Sequence, residues 1–395
     1  MRFAVYLPEN IMFHLSKRGN VAPFYAMDVL AKANQYKADG KDIISMAIGQ
    51  PAAPAPRKVI EAAEKALKGG KIGYTDANGL RSLRERISQY YEQHHNIFVD
   101  PLRIVVTTGS SAAFNLAFLS YFDEGDSVAI ARPGYPAYRN ILSALGINIV
   151  EIDTPDGRSG IITAQDVIEA FNITPFKALL FASPANPTGG SISASEMQEL
   201  LKAAQERDIH IISDEIYHCL NYTGTDVTAL SYSQDVTVIN SFSKYYCMTG
   251  WRIGWMVVPQ AALKNIERVM QSLYICAPEL SQIAACAAFD ATDELEKVKQ
   301  SYVINRDILK KALPQLGFKL LAPLDGAFYA YCDATHFTND SLSFVNTMLD
   351  ETGVAVTPGC DFDPQNGNKT IRFSYAGSEA EMLMAMDRLQ KWLKA

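Results

Sequence analysis

Short apolar runs alternate with helix-spaced apolar residues along most of this chain. From about residue 103, four- to six-residue runs rich in Val, Ile, Leu and Ala are mostly followed by segments of helical spacing. Ile104-Val105-Val106-Thr107, Ser127-Val128-Ala129-Ile130, and the stretches 147–152, 178–182, 209–213, 236–240 and 253–258 read as buried strands. Short apolar strands separated by helices predict a mostly parallel sheet covered on both faces, a doubly wound α/β architecture. Upstream, the first 23 residues lack periodicity and read as an arm. A helix is predicted over 24–38, with Met27, Leu30 and Ala31 on one face and Gly40 ending it. A strand at 43–48 and helices at 57–67 and 80–94 follow. Beyond about residue 260 the pattern changes. Helices over 260–273, 279–292 and 294–312 dominate, and strands near 327–332 and 370–373 alternate with further helices, which predicts a second, α+β domain.

Composition narrows the function classes. A chain of 395 residues, 48% hydrophobic and 20% charged, is an ordinary globular composition and can bury the core of two or three domains. A net charge of −7 argues against a nucleic-acid partner. No run approaches the roughly 20 apolar residues of a membrane span, and the apolar run at 3–7 is too short for a signal peptide. The six cysteines are scattered without a C-x-x-C pair, so neither a metal site nor a disulfide framework is expected. Reduced thiols in a cytoplasm are the expectation.

The most informative stretch is Ser241-Phe242-Ser243-Lys244, followed by Gly250-Trp251-Arg252-Ile253-Gly254. It lies just past the strand at 236–240. A lysine at the end of a buried strand, among hydroxyls and small residues, is a good amine to condense with a carbonyl, because desolvation and nearby cations lower its pKa. Ser241, Ser243 and Arg252 supply the donors a phosphate dianion needs. Together they describe a site for an aldehyde that carries a phosphate, and pyridoxal 5'-phosphate meets that description. Ser241-x-x-Lys244 also matches the S-x-x-K of penicillin-recognising hydrolases. The later elements of that family are missing, since Ser213-Asp214-Glu215 lies upstream and Lys369-Thr370-Ile371 lacks the glycine.

In doubly wound sheets ligands bind beyond the carboxyl ends of the strands, and other unusual residues collect there. Thr108-Gly109-Ser110-Ser111 joins a strand to a helix amino terminus, where free N–H groups face an anion. Ser183-Pro184-Ala185-Asn186-Pro187 is a loop stiffened by two prolines, with Asn186 able to donate to a ligand oxygen. In Asp214-Glu215-Ile216-Tyr217, Asp214 and Tyr217 lie three apart on an incipient helix. A carboxylate there would keep a pyridine nitrogen protonated, and Tyr217 could donate to a ring oxygen. Gly49-Gln50-Pro51 is a loop that lets the backbone approach a ligand. Arg372 interrupts an apolar strand and needs an anionic partner, either a substrate carboxylate or a structural acid.

Asn186-Pro187-Thr188-Gly189, Asp214-Glu215-x-Tyr217, Ser241-x-Ser243-Lys244 and Gly250-x-Arg252-x-Gly254, in this order and with Tyr74-x-x-x-x-Gly79 upstream, resemble a fold-type I pyridoxal-phosphate enzyme. More narrowly, they resemble the class I/II aminotransferases related to aspartate aminotransferase. The resemblance runs from the first helix to Arg372. It implies a large domain over 48–290, with a small α+β domain formed by both chain termini, 1–47 and 291–395. It implies that Lys244 holds the cofactor as a Schiff base and moves the proton, with Asp214 on the pyridinium nitrogen. Asn186 and Tyr217 would bond the ring oxygen, and Tyr135 would stack on the ring. Ser110, Ser111, Ser241, Ser243 and Arg252 would hold the phosphate. Tyr74 would reach the phosphate of a neighbouring subunit, which implies a homodimer. Gly49, Asn186 and Arg372 would receive the substrate carboxylate.

The implied activity is ping-pong amino transfer between an amino acid and a 2-oxo acid. A β-lyase acting on cystathionine-like substrates shares every cofactor residue. A non-catalytic cofactor-binding regulatory module is a third possibility, but it is expected to follow a winged helix for which some 23 residues leave no room. One departure bears on substrate: Ser111 stands where some aspartate-acting relatives place a lysine, and no second arginine is placed against a side-chain carboxylate. Neutral or aromatic amino acids are therefore as compatible as dicarboxylates.

Overall fold

The computed structural model describes residues 15–154 and 160–394. Most of the expected arm lies outside them, and its described part contains one 3-10 turn, Lys17–Gly19. The helix α1 (Tyr25–Ala38) leads to a short strand β1 (Ile44–Ser45), then α2 (Arg57–Lys68) and α3 (Arg81–His95). Strand–helix alternation follows: β2 (Ile104–Thr107), α4 (Ser110–Tyr121), β3 (Ser127–Arg132), α5 (Pro136–Ala144), β4 (Asn148–Asp153), α6 (Ala164–Ile173), β5 (Ala178–Ala182), α7 (Ala194–Gln205) and β6 (His210–Asp214). Two strands, β7 (Thr237–Ser241) and β8 (Gly254–Val257), complete that series. The remainder holds α8 (Leu263–Tyr274), α9 (Glu279–Ala288), α10 (Thr292–Gln315), β9 (Lys319–Leu320), β10 (Tyr329–Asp333), α11 (Ser341–Thr352), β11 (Val354–Ala355), β12 (Thr357–Pro358), β13 (Thr370–Ser374) and α12 (Glu379–Leu393).

Seven strands form one sheet in the order β2-β8-β7-β6-β5-β3-β4, with β8 alone antiparallel to its neighbours. Side chains alternate across it: Ile104 and Val106 join one apolar cluster, while Val105 joins a second on the other face. A strand buried on both faces must be apolar throughout, which is why these runs were legible. A four-stranded antiparallel sheet, β12-β13-β10-β9, and the parallel pair β1-β11 form the smaller α+β part. Since β1 pairs with β11, both ends of the chain build it.

Three expectations need correction. The strand expected over 43–48 is only Ile44–Ser45, because after Met46, whose N–H still bonds the Ala355 carbonyl, the backbone leaves its partner and turns the Ala47 and Gly49 carbonyls to Arg372 and Lys244. Helix α1 buries Ala26, Val29 and Ala33 against α11, β11 and β12, not the predicted face; Met27 stays 50% exposed. Asp214 and Tyr217 lie on no helix. Asp214 ends β6, and the following residues are successive turns anchored by Glu215, whose Oε1 accepts from Ser213 Oγ, Thr228 Oγ and Ala229 N at 3.1, 3.1 and 2.9 Å.

Candidate active site

The carboxyl ends of β2, β3, β5, β6 and β7 open on one edge of the large sheet, as the parallel connections require. A cavity of about 470 Å³ lies there. Every candidate site residue named from the sequence lines it except Ser241 and Tyr74. Ser241 stands behind Ser243, donating to its Oγ at 3.0 Å and to the Ile253 carbonyl at 3.2 Å. Tyr74 is 82% exposed.

Lys244 is at the centre. Its Nζ donates to the Gly49 carbonyl at 2.6 Å, its one hydrogen bond among the described residues. Burial lowers its pKa to about 8; the charges of Arg372 and Arg252 add to that, and Asp214 opposes it. Gly49 can come this close because it has no side chain: an added Cβ would lie 1.6 Å from Tyr329 Oη.

An anion cradle lies to one side. Gly109, at φ +80°, turns β2 into the amino terminus of α4, where Ser110 and Ser111 stand. A Cβ at Gly109 would sit 2.6 Å from Arg252 Nη2, so the guanidinium closes over bare backbone. Hydroxyls, helix N–H groups and an arginine converge there, which suits a phosphate.

On the other side Asp214 is fully enclosed. It accepts from Tyr138 Oη and from Ile216 N at 3.1 Å, and among the described residues no cation pairs with it. Burial raises its pKa to about 6; the Tyr138 hydrogen bond, the Ile216 N–H and Lys244 oppose the shift. A buried carboxylate without a counter-ion is costly and calls for a cation in the neighbouring space. Tyr217 Oη and Tyr329 Oη share a hydrogen bond of 2.7 Å.

Arg372 is only 4% exposed, and its hydrogen bonds among the described residues all go to neutral groups. Its Nη1 donates to Asn186 Oδ1 at 2.6 Å, its Nη2 to the Ala47 carbonyl at 2.7 Å and to Thr357 Oγ at 3.2 Å. Its Nε is buried without a partner. Tyr329 and Phe362 flank the guanidinium, with ring centroids 4.1 and 4.6 Å away.

Sequence reasoning missed Tyr138, Tyr329, Thr357 and the cavity-facing residues of α1. Tyr138 had a readable signal, three residues beyond Tyr135 on the helix that opens at Pro136. The others depend on tertiary packing and carried no local mark.

An anion, a carbonyl within reach of an amine, and a ring cation, set in a row, describe pyridoxal phosphate, and the residues present fit it. The surrounding layers are those of the fold-type I enzymes that use it. The family model for aminotransferase class I and II matches residues 41–389. A valine–pyruvate aminotransferase of Mycobacterium tuberculosis is 45% identical over 95% of this chain and 97% of its own. A (5-formylfuran-3-yl)methyl phosphate transaminase of Methanocaldococcus jannaschii is 34% identical, covering 96% and 99%. The crystal structure of an aminotransferase from Mycobacterium tuberculosis superposes with a TM-score of 0.93 at 43% identity, covering 97% and 99%. The chain belongs to the class I and II aminotransferases, and it is a pyridoxal-phosphate-dependent transaminase.

Proposed function

We propose that this enzyme moves an amino group between an L-amino acid and a 2-oxo acid in two half-reactions, with Lys244 as the amine that carries the cofactor. The observation that carries this reading is Lys244 itself: buried, with one hydrogen bond, between an anion cradle and an uncompensated carboxylate. Bound in this cavity, pyridoxal phosphate supplies an aldehyde and an electron-withdrawing ring that make a substrate Cα–H acidic. Lys244 Nζ, unprotonated far more often than an ordinary lysine, takes the Cα proton and returns it. Asp214 holds the ring-nitrogen proton in place. Tyr217 and Asn186 would hold the ring oxygen, and Tyr135 would pack against the ring. Ser110, Ser111, Ser243 and Arg252 fix the phosphate, with Ser241 holding Ser243. Arg372, with Asn186 and the Gly49 backbone, receives the α-carboxylate, since the guanidinium lines the cavity without an ion pair among the described residues.

The same reading assigns residues 1–47 and 291–395 to the small domain and 48–290 to the large one, supported by the packing of α1 on α11, β11 and β12. It also makes the working unit a homodimer, since Tyr74 is exposed and outside its own cavity, free to reach a second copy.

Two measurements test the reading. Mixing holoenzyme with a panel of L-amino acids, without any 2-oxo acid, is expected to shift the cofactor absorbance from the aldehyde to the amine form once per site. Steady release of pyruvate and ammonia would instead indicate a lyase. The rate at which apoprotein captures added pyridoxal phosphate should rise about tenfold per pH unit up to about pH 8 and then level, because the free amine is the nucleophile. A rate still climbing at pH 10 would mean that the reacting amine is an ordinary solvated lysine.

A further inference from the structure

The turn after β6 sends its side chains to two environments. Asp214 and Tyr217 line the cavity, whereas Glu215 and His218 do not. Those two are enclosed in the core instead, Glu215 completely and His218 at 3% exposure. The His218 N–H closes the turn on the Glu215 carbonyl at 3.0 Å, and the Glu215 N–H bonds the Ile239 carbonyl of β7 at 2.8 Å. Whatever fixes Glu215 and His218 therefore also fixes Asp214 before them and Tyr217 between them.

The two carboxyl oxygens of Glu215 are not equivalent. Oε1 takes all three donors, from Ser213, Thr228 and Ala229. Oε2 takes none among the described residues and lies 3.5 Å from His218 Nδ1. Neither ring nitrogen of His218 makes a hydrogen bond of ordinary geometry to those residues. An ionised Glu215 beside a neutral imidazole would bury a net negative charge with no lysine or arginine paired to it among the described residues. One added proton makes the pair neutral and gives Oε2 and Nδ1 a bond to share.

The surroundings favour that neutral form. The half-buried Asp226 of the following loop faces the pair, and α3 brings Tyr91, His94 and His95, the His95 ring lying 5.4 Å from that of His218. Lys299 acts on Asp226. Burial raises the Glu215 carboxyl to about 8; its three hydrogen bonds oppose the rise and Asp226 adds to it. Burial lowers His218 to about 3, against the Ser183 backbone, and lowers His95 to about 3 as well.

We propose that Glu215 and His218 are a positioning pair: a proton held between Glu215 Oε2 and His218 Nδ1 locks the turn so that Asp214 and Tyr217 keep their places against the cofactor. This rests on the aminotransferase reading and adds to it two residues that touch neither cofactor nor substrate.

The test compares two variants with wild-type holoenzyme. Glu215→Gln keeps an acceptor for the three donors and sets an N–H where the proton stands; Glu215→Ala keeps neither. Glu215→Ala is expected to lower kcat about 10- to 100-fold with a smaller change in KM, the cost of misplaced groups, and to move the pH at which the cofactor absorbance titrates by about one unit. Glu215→Gln is expected to recover most of both. The proton itself is read from melting temperature against pH. A carboxyl raised from 4.5 to about 8 stabilises the fold fully below pH 4.5 and loses that contribution as the pH rises through about 8. The melting temperature of Glu215→Gln minus that of wild type should therefore climb between about pH 5 and about pH 9. A difference that stays flat or falls would show an ionised Glu215 and overturn the shared proton. Wild-type kcat and cofactor titration in Glu215→Ala, with only a lower melting temperature, would overturn the positioning role. If Glu215→Ala does not fold, His218→Leu, which removes the acceptor alone, replaces it, with His218→Asn as the conservative variant expected to recover activity. Failure of every L-amino acid to convert the wild-type cofactor would overturn the aminotransferase reading instead and leave the melting result standing.

Discussion

Replacing Lys244 with alanine is expected to leave a protein that folds, still takes up pyridoxal phosphate, and turns over about four orders of magnitude more slowly, the upper range of a positioned proton-transfer group. Binding survives because the cradle at Gly109, Ser110, Ser243 and Arg252 is built from other elements. Turnover does not, because Lys244 Nζ is the one amine lining the cavity among the described residues. Its depressed pKa, about 8, is part of its usefulness: about one molecule in ten presents a free amine at pH 7. Borohydride reduction of the wild-type holoprotein followed by peptide mapping should place the cofactor on Lys244. A cofactor tethered to another lysine, or wild-type turnover in Lys244→Ala, would remove this residue from the chemistry.

The second large effect is expected at Arg372. Arg372→Lys should lower kcat/KM about 10- to 150-fold for every amino acid, mostly through KM, by loss of one charge-assisted bond worth about 1.5–3 kcal/mol. The guanidinium is a planar fork already spread over Asn186, Ala47 and Thr357, and an ammonium cannot reproduce that geometry. Kinetics set beside thermal melting distinguish a substrate hook from an internal strut. A lowered Tm with unchanged KM values would make Arg372 structural.

Much of this was legible in the sequence, for definite reasons. The strands from Ile104 to Val257, apart from the edge strand β4, are largely buried on both faces, so their apolar runs are bounded by glycines, prolines and polar loops. Lys244, Asp214, Asn186 and the Ser110 turn sit at strand ends, where topology alone gathers ligand-binding groups. The rest is tertiary. Nothing local marks Tyr329, which touches Tyr217 from another sheet, or Thr357, which supports Arg372 across a strand pair. The inward face of α1 was misread because Met27 and Leu30 look like core. The helix instead buries Ala26, Val29 and Ala33, while Met27 and Leu30 line the cavity. Asp214 to Tyr217 was misread as a helix start because spacing cannot reveal that Glu215 binds the next loop.

The pairing of Ile44 with Val354 has a consequence for how the molecule is made. A chain emerging from the ribosome can assemble the large sheet once β8 is out, since domains fold as units during synthesis. Its first strand, however, must wait for a partner translated some three hundred codons later. Until then Gly49 and the first helix have no fixed place, and Arg372 has not been made. A nascent enzyme could therefore cradle its vitamin well before it could grip an amino acid.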